Sequence, residues 1–142
     1  MLTMTPRLIL RFIVLICIVS AALSALWATM AGAVDATLTG SQITVTYTEP
    51  TTAANGQPLQ DLRDTRVYLQ LSGEGPGLAA TVPASQVQGG GTISSVIVVP
   101  VGPMEETDVG VWATATDLAG NESERSEQKT VRIDRLPPAA PH

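Results

Sequence analysis

The sequence predicts an all-β domain of about seven antiparallel strands behind an apolar N-terminal leader. Alternating and β-branched runs recur along residues 34–135, and Gly, Pro and Asn fill the gaps between them. No long window after the leader has helical spacing. Short strands separated by such turns are typical of a sandwich or a barrel. Because the sequence contains no internal repeat, it predicts one β module and not an array of modules.

The leader, residues 1–33, has the layout of a secretory signal peptide. It contains two arginines and no acidic residue, and residues 12–34 form a stretch of 23 residues without a charge. Ala31 and Ala33 supply the small side chains that a signal peptidase reads. We therefore predict an apolar signal helix that is cleaved between Ala33 and Val34, which leaves the domain secreted or periplasmic.

An uncleaved membrane anchor is the alternative to a signal peptide. A helix of 23 uncharged residues is long enough to cross about 30 Å of hydrocarbon. Under either interpretation the leader arginines stay in the cytoplasm and the domain lies outside it. The membrane is therefore an expected partner only if the leader remains attached.

Five runs carry the strand signal most clearly. In the first run Ile43, Val45 and Tyr47 share one face and threonines occupy the other, which is the alternation of a half-buried strand. In the fourth run the same alternation points Val111 and Ala113 into the core. The runs are residues 42–49, 65–72, 92–99, 109–116 and 129–134.

Charge and composition argue against several function classes. The leader holds none of the 13 acidic residues and two of the 8 basic ones, so residues 34–142 carry a net charge of −7. An acidic segment argues against nucleic acid as a partner, because phosphates require Lys and Arg. The only cysteine, Cys17, lies in the leader, and the only histidine is His142. Without Cys or an internal His we predict no metal site, no cofactor and no nucleophile–base pair, and hence no enzyme.

Strand alternation also predicts a candidate binding surface. It turns Trp112 away from the core on the fourth run, and Arg66 and Tyr68 away from it on the second. Arg132 points outward on the fifth run. Large aromatic side chains beside arginines are common in binding hot spots, and an exposed indole is a platform for a sugar ring or a cation. The alternative is a cross-strand pair that only stiffens the sheet.

Two loops have simpler interpretations. Glu105, Glu106 and Asp108 form an acidic loop that lacks the ligand spacing of an EF-hand, so we expect it to be solvated. The three glycines at 89–91 lack the Lys and the Ser or Thr of a phosphate-binding loop. We expect a flexible loop there.

Two parts of the sequence, one near each end of the domain, resemble a known family. The first part consists of residues 47–52 (YTEPTT) and 55–59 (NGQPL), and the second of residues 113–117 (ATATD) and 119–123 (AGNES). In this order and spacing they resemble the B strand, B–C loop, F strand and F–G turn of bacterial fibronectin type III domains. The resemblance implies an immunoglobulin-like β-sandwich, with strands A, B and E in one sheet and C, F and G in the other.

Three positions depart from that family's pattern. Tyr47 stands where the family usually has tryptophan, and Thr65 and Val109 stand where it has tyrosine. Smaller residues at three core positions imply a lighter core and a domain of modest stability.

The expected function is based on the leader and the resemblance. We expect an exported, non-enzymatic binding or scaffold module of the cell envelope, formed by residues 34–135, whose partner is an envelope protein or a polysaccharide. One alternative is a membrane-tethered structural subunit of an envelope assembly, and another is an accessory carbohydrate-binding domain that uses an exposed Trp112. Residues 136–142 resemble the Pro-rich linker that joins such domains in series, and they are expected to be extended.

Overall fold

The computed structural model describes residues 33–141 as seven antiparallel strands in two sheets, which confirms the all-β prediction. The strands are β1 (Asp35–Thr39), β2 (Gln42–Thr48), β3 (Leu62–Leu71), β4 (Gly77–Pro83), β5 (Thr92–Val98), β6 (Glu106–Asp117) and β7 (Lys129–Asp134). One sheet has the order β1-β2-β5, and the other has the order β4-β3-β6-β7. In this described part of the chain, no helix is long and apolar enough to cross a membrane.

All five predicted runs are strands, namely β2, β3, β5, β6 and β7. The structure adds β1 and β4, which lie at sheet edges and carry little alternation. One of the five residues of β1 is buried, and none of the seven residues of β4 is. A strand that buries so few side chains leaves no period of two in the sequence, so a pattern search does not find it.

Both sheets contribute to one hydrophobic core, in which β2 and β5 pack with β3, β6 and β7. The predicted inward faces of these strands are confirmed. Within residues 33–141, Tyr47 is the only aromatic residue of this cluster, so the core is light in aromatic side chains, as predicted. The core residues with at most 1% exposure are Ile43, Val45, Val67, Val99, Val109, Val111 and Ile133.

The phenol of Tyr47 has a buried polar partner. Its oxygen lies 2.6 Å from Oγ1 of Thr65, which is 1% exposed. Burial raises the pKa of Tyr47, the hydrogen bond with Thr65 partly opposes this, and the charge of Glu49 raises the pKa further. The hydrogen bond satisfies a hydroxyl that would otherwise be buried without a partner.

Three connections meet at one end of the sheets, which we call the loop end. The backbone N–H of Leu118 donates to the carbonyl of Asp61, and that of Leu62 donates to the carbonyl of Val87. The strands β2, β4 and β6 therefore all finish at the same end. The connections are residues 49–61 between β2 and β3, 84–91 between β4 and β5, and 118–128 between β6 and β7.

The first and last strands place the two ends of the domain far apart. Asp35, at the start of β1, pairs with Thr46 near the end of β2, and therefore lies at the loop end. Asp134, at the end of β7, pairs with Glu106 at the start of β6, and therefore lies at the opposite end.

The predicted signal helix, including Ala31, lies outside the described residues. Val34, on the C-terminal side of the predicted cleavage point, is 5% exposed and belongs to the core. After β7, the side chain of Arg135 donates a hydrogen bond to the carbonyl of Val101. Residues 136–141 form no strand or helix.

Candidate functional site

The outer face of the four-stranded sheet, the side away from the core, brings together three of the four predicted binding residues. Arg66 and Tyr68 lie on β3, and Trp112 lies directly opposite Tyr68 on β6. Thr114, two residues further along β6, lies opposite Arg66. The core cluster includes none of the four residues on this face, namely Arg66, Tyr68, Trp112 and Thr114. This agrees with the outward orientation that alternation predicts.

Trp112 is covered, so the exposure that the carbohydrate-binding alternative predicts for it is wrong. Only 6% of its surface is accessible. The ring of Tyr68 lies nearly parallel to the indole, with centroids 6.0 Å apart and an interplanar angle of 12°. The guanidinium carbon of Arg125 lies 5.5 Å from the centre of the indole in a cation–π contact. Alternation predicts which face a side chain points to, but Arg125 comes from the irregular segment before β7, whose path no pattern indicated.

Glu122 lies over the same face and satisfies three of its polar groups. Oγ1 of Thr114 and the phenol of Tyr68 donate to one carboxylate oxygen over 2.6 Å and 2.8 Å. Nη1 of Arg66 donates to the other oxygen over 2.8 Å. The hydrogen bonds from Thr114 and Tyr68, together with the charge of Arg66, hold the pKa of Glu122 below its ordinary value. The same hydrogen bond to Glu122 raises the pKa of Tyr68. Two groups predicted to contact a partner are therefore already engaged within the chain.

Two serines hold the segment that carries Glu122 beside β6. The backbone N–H groups of Ser123 and Ser126 donate to the carbonyls of Ala115 and Ala113 over 2.8 Å each. The backbone N–H groups of Ala115 and Ala113 donate back to the two serine hydroxyls over 2.9 Å and 3.0 Å. The hydroxyl oxygens thus replace strand carbonyls, and the segment runs beside β6 without a regular ladder.

Arg132, the fourth predicted binding residue, lies apart from the other three. It pairs with Asp108, four residues from Trp112 along β6, which is a distance of roughly 13 Å. Its guanidinium lies 2.5 Å from Glu106 and 3.3 Å from Asp108, and its side chain is 59% exposed. The acidic residues before the fourth predicted run are therefore partly neutralised by this arginine. Within residues 33–141, no group of three or more His, Cys, Asp or Glu is placed to hold a metal ion.

A second polar cluster, which sequence reasoning missed, lies at the loop end. Glu49, the residue after β2, is 2% exposed. Its carboxylate accepts the backbone N–H of Ser85 over 2.8 Å, that of Gly91 over 3.0 Å, and the hydroxyl of Ser85. None of the ion pairs in the described part of the chain includes it, so hydrogen bonds alone compensate this buried carboxylate. The sequence did contain a signal for this burial, because Glu49 continues the series of every second residue in which Val45 and Tyr47 point inward.

The three glycines at 89–91 form a closely packed loop, in contrast to the flexible loop that we expected. Gly89 has a φ of +67°, and a Cβ there would lie 1.9 Å from the carbonyl oxygen of Pro50. At Gly91 a Cβ would lie 2.2 Å from Oγ of Ser85 and 2.8 Å from Oε2 of Glu49. Glycine is therefore required for this backbone to close over the buried carboxylate.

Comparison with known proteins gives little similarity. No protein-family model matches the sequence, and no curated protein matches it. Among solved structures, the fold is similar to that of a superoxide reductase from Nanoarchaeum equitans, with a TM-score of 0.40 and 8% sequence identity. The match covers 72% of this chain and 91% of that chain.

The prediction that the chain is not an enzyme is not supported and is withdrawn; the structural neighbour is itself an enzyme. The prediction rested on the lack of Cys and of an internal His. Composition of that kind does not exclude catalysis, since carboxylates also act as general acids and bases. At a TM-score of 0.40 the likeness assigns no activity to this chain.

Proposed function

We propose that residues 34–135 form an immunoglobulin-like sandwich of the fibronectin type III kind. The sheet partition supports this, because β1, β2 and β5 correspond to strands A, B and E, and β3, β6 and β7 to strands C, F and G. β4 then extends the second sheet beyond strand C. Tyr47 and Thr65, both departures from the family's pattern, are hydrogen-bonded to each other, so the two changes are compatible within one core. A small residue at 65 leaves room for the hydroxyl of a tyrosine at 47.

The function that we propose is that of a spacer or scaffold module in an exported protein of the cell envelope. The observation that carries it is the position of Asp35 at the loop end and of Asp134 at the opposite end. A chain that enters before β1 and leaves after β7 is carried along the strands by roughly 20 Å, the length of the six residues of β7 at ~3.4 Å each. Such a module holds the segment before β1 apart from the segment after β7. The Pro-rich residues 136–142 would continue this extended path.

The carbohydrate-binding alternative has less support. It requires an accessible indole, and Trp112 is 6% exposed beneath Tyr68 and Arg125. A ligand on this face would also have to displace Glu122 from Arg66. A spacer needs none of these groups to be free.

Export is tested by expressing the full chain in a bacterium and measuring the intact mass of the protein in each cell fraction. We expect a mass below the 14.8 kDa of the full chain, in the periplasm or the medium. The membrane-tethered alternative instead predicts 14.8 kDa in the membrane fraction, with the domain accessible to external protease. The full mass in the cytoplasm would overturn both.

The spacer geometry is tested by the distance between spin labels at the two ends of the domain. The labels are attached to Asp35→Cys and Asp134→Cys in residues 31–142, which form one compact unit. We expect a distance of roughly 20–30 Å, and a distance under about 15 Å contradicts the proposed path. In the same preparation we expect no co-sedimentation with cell-wall polysaccharides, and its occurrence would favour the carbohydrate-binding alternative.

A further inference from the structure

The described domain has four edge strands, β1, β4, β5 and β7, and three of them are protected. An exposed strand edge can pair with another chain, and proteins prevent this with charges, prolines, bulges or short strands. β7 carries Lys129, Arg132 and Asp134. β4 ends at Pro83 and has an irregular register with β3. β1 is only five residues long and begins with a carboxylate.

β5 has none of these protections. Its sequence, TISSVIV, contains no charge, no proline and no glycine. Its register with β2 is continuous over all seven residues. Val96 and Val98 are 60% and 64% exposed, which places two of the most exposed large apolar side chains on this one strand. An unbroken and uncharged edge of this kind is suited to strand pairing.

The hydrogen bonds to β2 determine which backbone groups of β5 are free. The carbonyl of Gly91 accepts from Glu49, and the N–H of Val99 donates to Ser41, each over 2.9 Å. An antiparallel ladder alternates, so the odd-numbered residues from 91 to 99 direct their backbone groups to β2. The even-numbered residues direct theirs to the free edge, where residues 33–141 supply no strand partner. These residues are Thr92, Ser94, Val96 and Val98.

We propose that this edge is a homotypic interface, at which β5 pairs antiparallel with β5 of a second copy of the chain. Placing Ser94 opposite Val96 of the second copy also places Thr92 opposite Val98. Each residue whose backbone groups face the free edge then lies in a hydrogen-bonded pair with a residue of the second copy. The interface contains up to about eight backbone hydrogen bonds. A two-fold axis passes beside Ser95, and the contact closes on itself as a dimer.

A second copy fits this edge because the register is self-complementary. The two strands bring no charge to the interface, although the domain as a whole is acidic. The exposed Val96 of each copy also becomes a diagonal neighbour of the other. A single strand pair buries less than the roughly 1,200 Å² of a standard interface, so the dimer is weak and depends on concentration.

The first test is sedimentation velocity of residues 31–142 over a range of concentrations. We expect the average mass to rise toward twice the monomer mass as concentration increases. Val96→Pro removes an N–H that faces the free edge and leaves the bonds to β2 intact, so this variant should fold and remain monomeric. Leu78→Lys is the matched control, since Leu78 is a 56% exposed apolar residue on the other sheet's edge strand, and this variant should dimerise like the unmodified domain.

The second test fixes the register by crosslinking. Ser95→Cys should form a disulfide-linked dimer under mild oxidation, because the two copies of this position face each other about 4.5 Å apart at the axis. Ser94→Cys should not form this dimer, because Ser94 lies opposite Val96 of the second copy and not opposite its own counterpart. Residues 31–142 contain no natural cysteine to interfere. A monomer up to about 1 mM, or a dimer that survives Val96→Pro and is lost in Leu78→Lys, overturns the proposal.

Discussion

Replacing Glu49 by alanine is expected to remove a large part of the stability of the domain. The side chain is 2% exposed and accepts hydrogen bonds from the backbone of Ser85 and Gly91 and from the Ser85 hydroxyl. The variant leaves those donors, which lie on the exposed Ser85 and the half-buried Gly91, without their acceptor. Hydrogen bonds to a charged group contribute about 1.5–3 kcal/mol each, so the loss of three half-exposed ones should cost roughly 3–5 kcal/mol. A domain of this size has a total stability of about 5–15 kcal/mol.

The assay is urea unfolding of residues 31–142, followed by circular dichroism. The midpoint should fall without a change in slope, because the surface exposed on unfolding is similar. The corresponding fall in Tm is roughly 15–30 °C. Glu49→Gln keeps the volume and one acceptor oxygen, so it should lose about 1–3 kcal/mol. Glu124→Ala is the control, since this exposed residue should change stability by less than about 0.5 kcal/mol.

A loss below about 1 kcal/mol in Glu49→Ala would refute this reasoning. It would mean that the N–H groups of Ser85 and Gly91 find water, and that packing rather than the carboxylate holds the loop. Equal losses in Glu49→Ala and Glu49→Gln would instead show that the charge is essential and the shape of the side chain is not.

Three further predictions concern other residues of the two clusters. Gly89→Ala should lower the free energy of unfolding by several times the roughly 1 kcal/mol expected for Gly120→Ala. Both glycines have a positive φ, but only at Gly89 would a Cβ lie 1.9 Å from a backbone atom. Similar urea midpoints for the two variants would contradict this. The fluorescence of Trp112 in residues 31–142 should be poorly quenched by acrylamide, and Arg125→Ala should increase the quenching. An unchanged quenching constant would mean that Arg125 does not shield the indole from solvent. The depressed folded pKa of Glu122 stabilises the fold above the ordinary Glu pKa of about 4.3, and this contribution is lost as pH falls through the folded pKa. Unfolding measured between pH 3 and 6 should therefore show a smaller acid loss in Glu122→Gln, and parallel curves would exclude the effect.

Alternation predicted the core strands well, because their burial is one-sided and the side-chain period in a strand is two. Ile43, Val45 and Val111 occupy inward positions and are fully buried. The same rule predicted neither β1 nor β4, since an edge strand with few buried side chains carries no period. Alternation in the sequence therefore indicates one-sided burial of side chains. It does not predict a strand that is formed mainly by backbone pairing.

The candidate site was predicted only as far as local geometry allows. Parity placed Arg66, Tyr68 and Trp112 on one face, and the register of β3 with β6 makes them neighbours. Their coverage by Arg125 and Glu122 depends on the path of the segment before β7. Serine hydroxyls fix that path through bonds to β6, and such long-range side-chain bonds leave no periodic trace in a sequence.

The two proposals constrain each other through the direction of the strands. Antiparallel pairing of β5 sets the long axes of the two copies in opposite directions, so the loop end of one copy lies beside the far end of the other. Asp35 is in register with Thr46 and Ser94, one residue from the axis, so the two leaders would enter the dimer at nearly the same height but in opposite directions. Two copies anchored by uncleaved leaders in the same membrane cannot meet that geometry. We therefore expect Ser95→Cys crosslinks in cells only where the leader has been removed, and crosslinked dimers of full-length membrane protein would show that β5 pairs in another orientation.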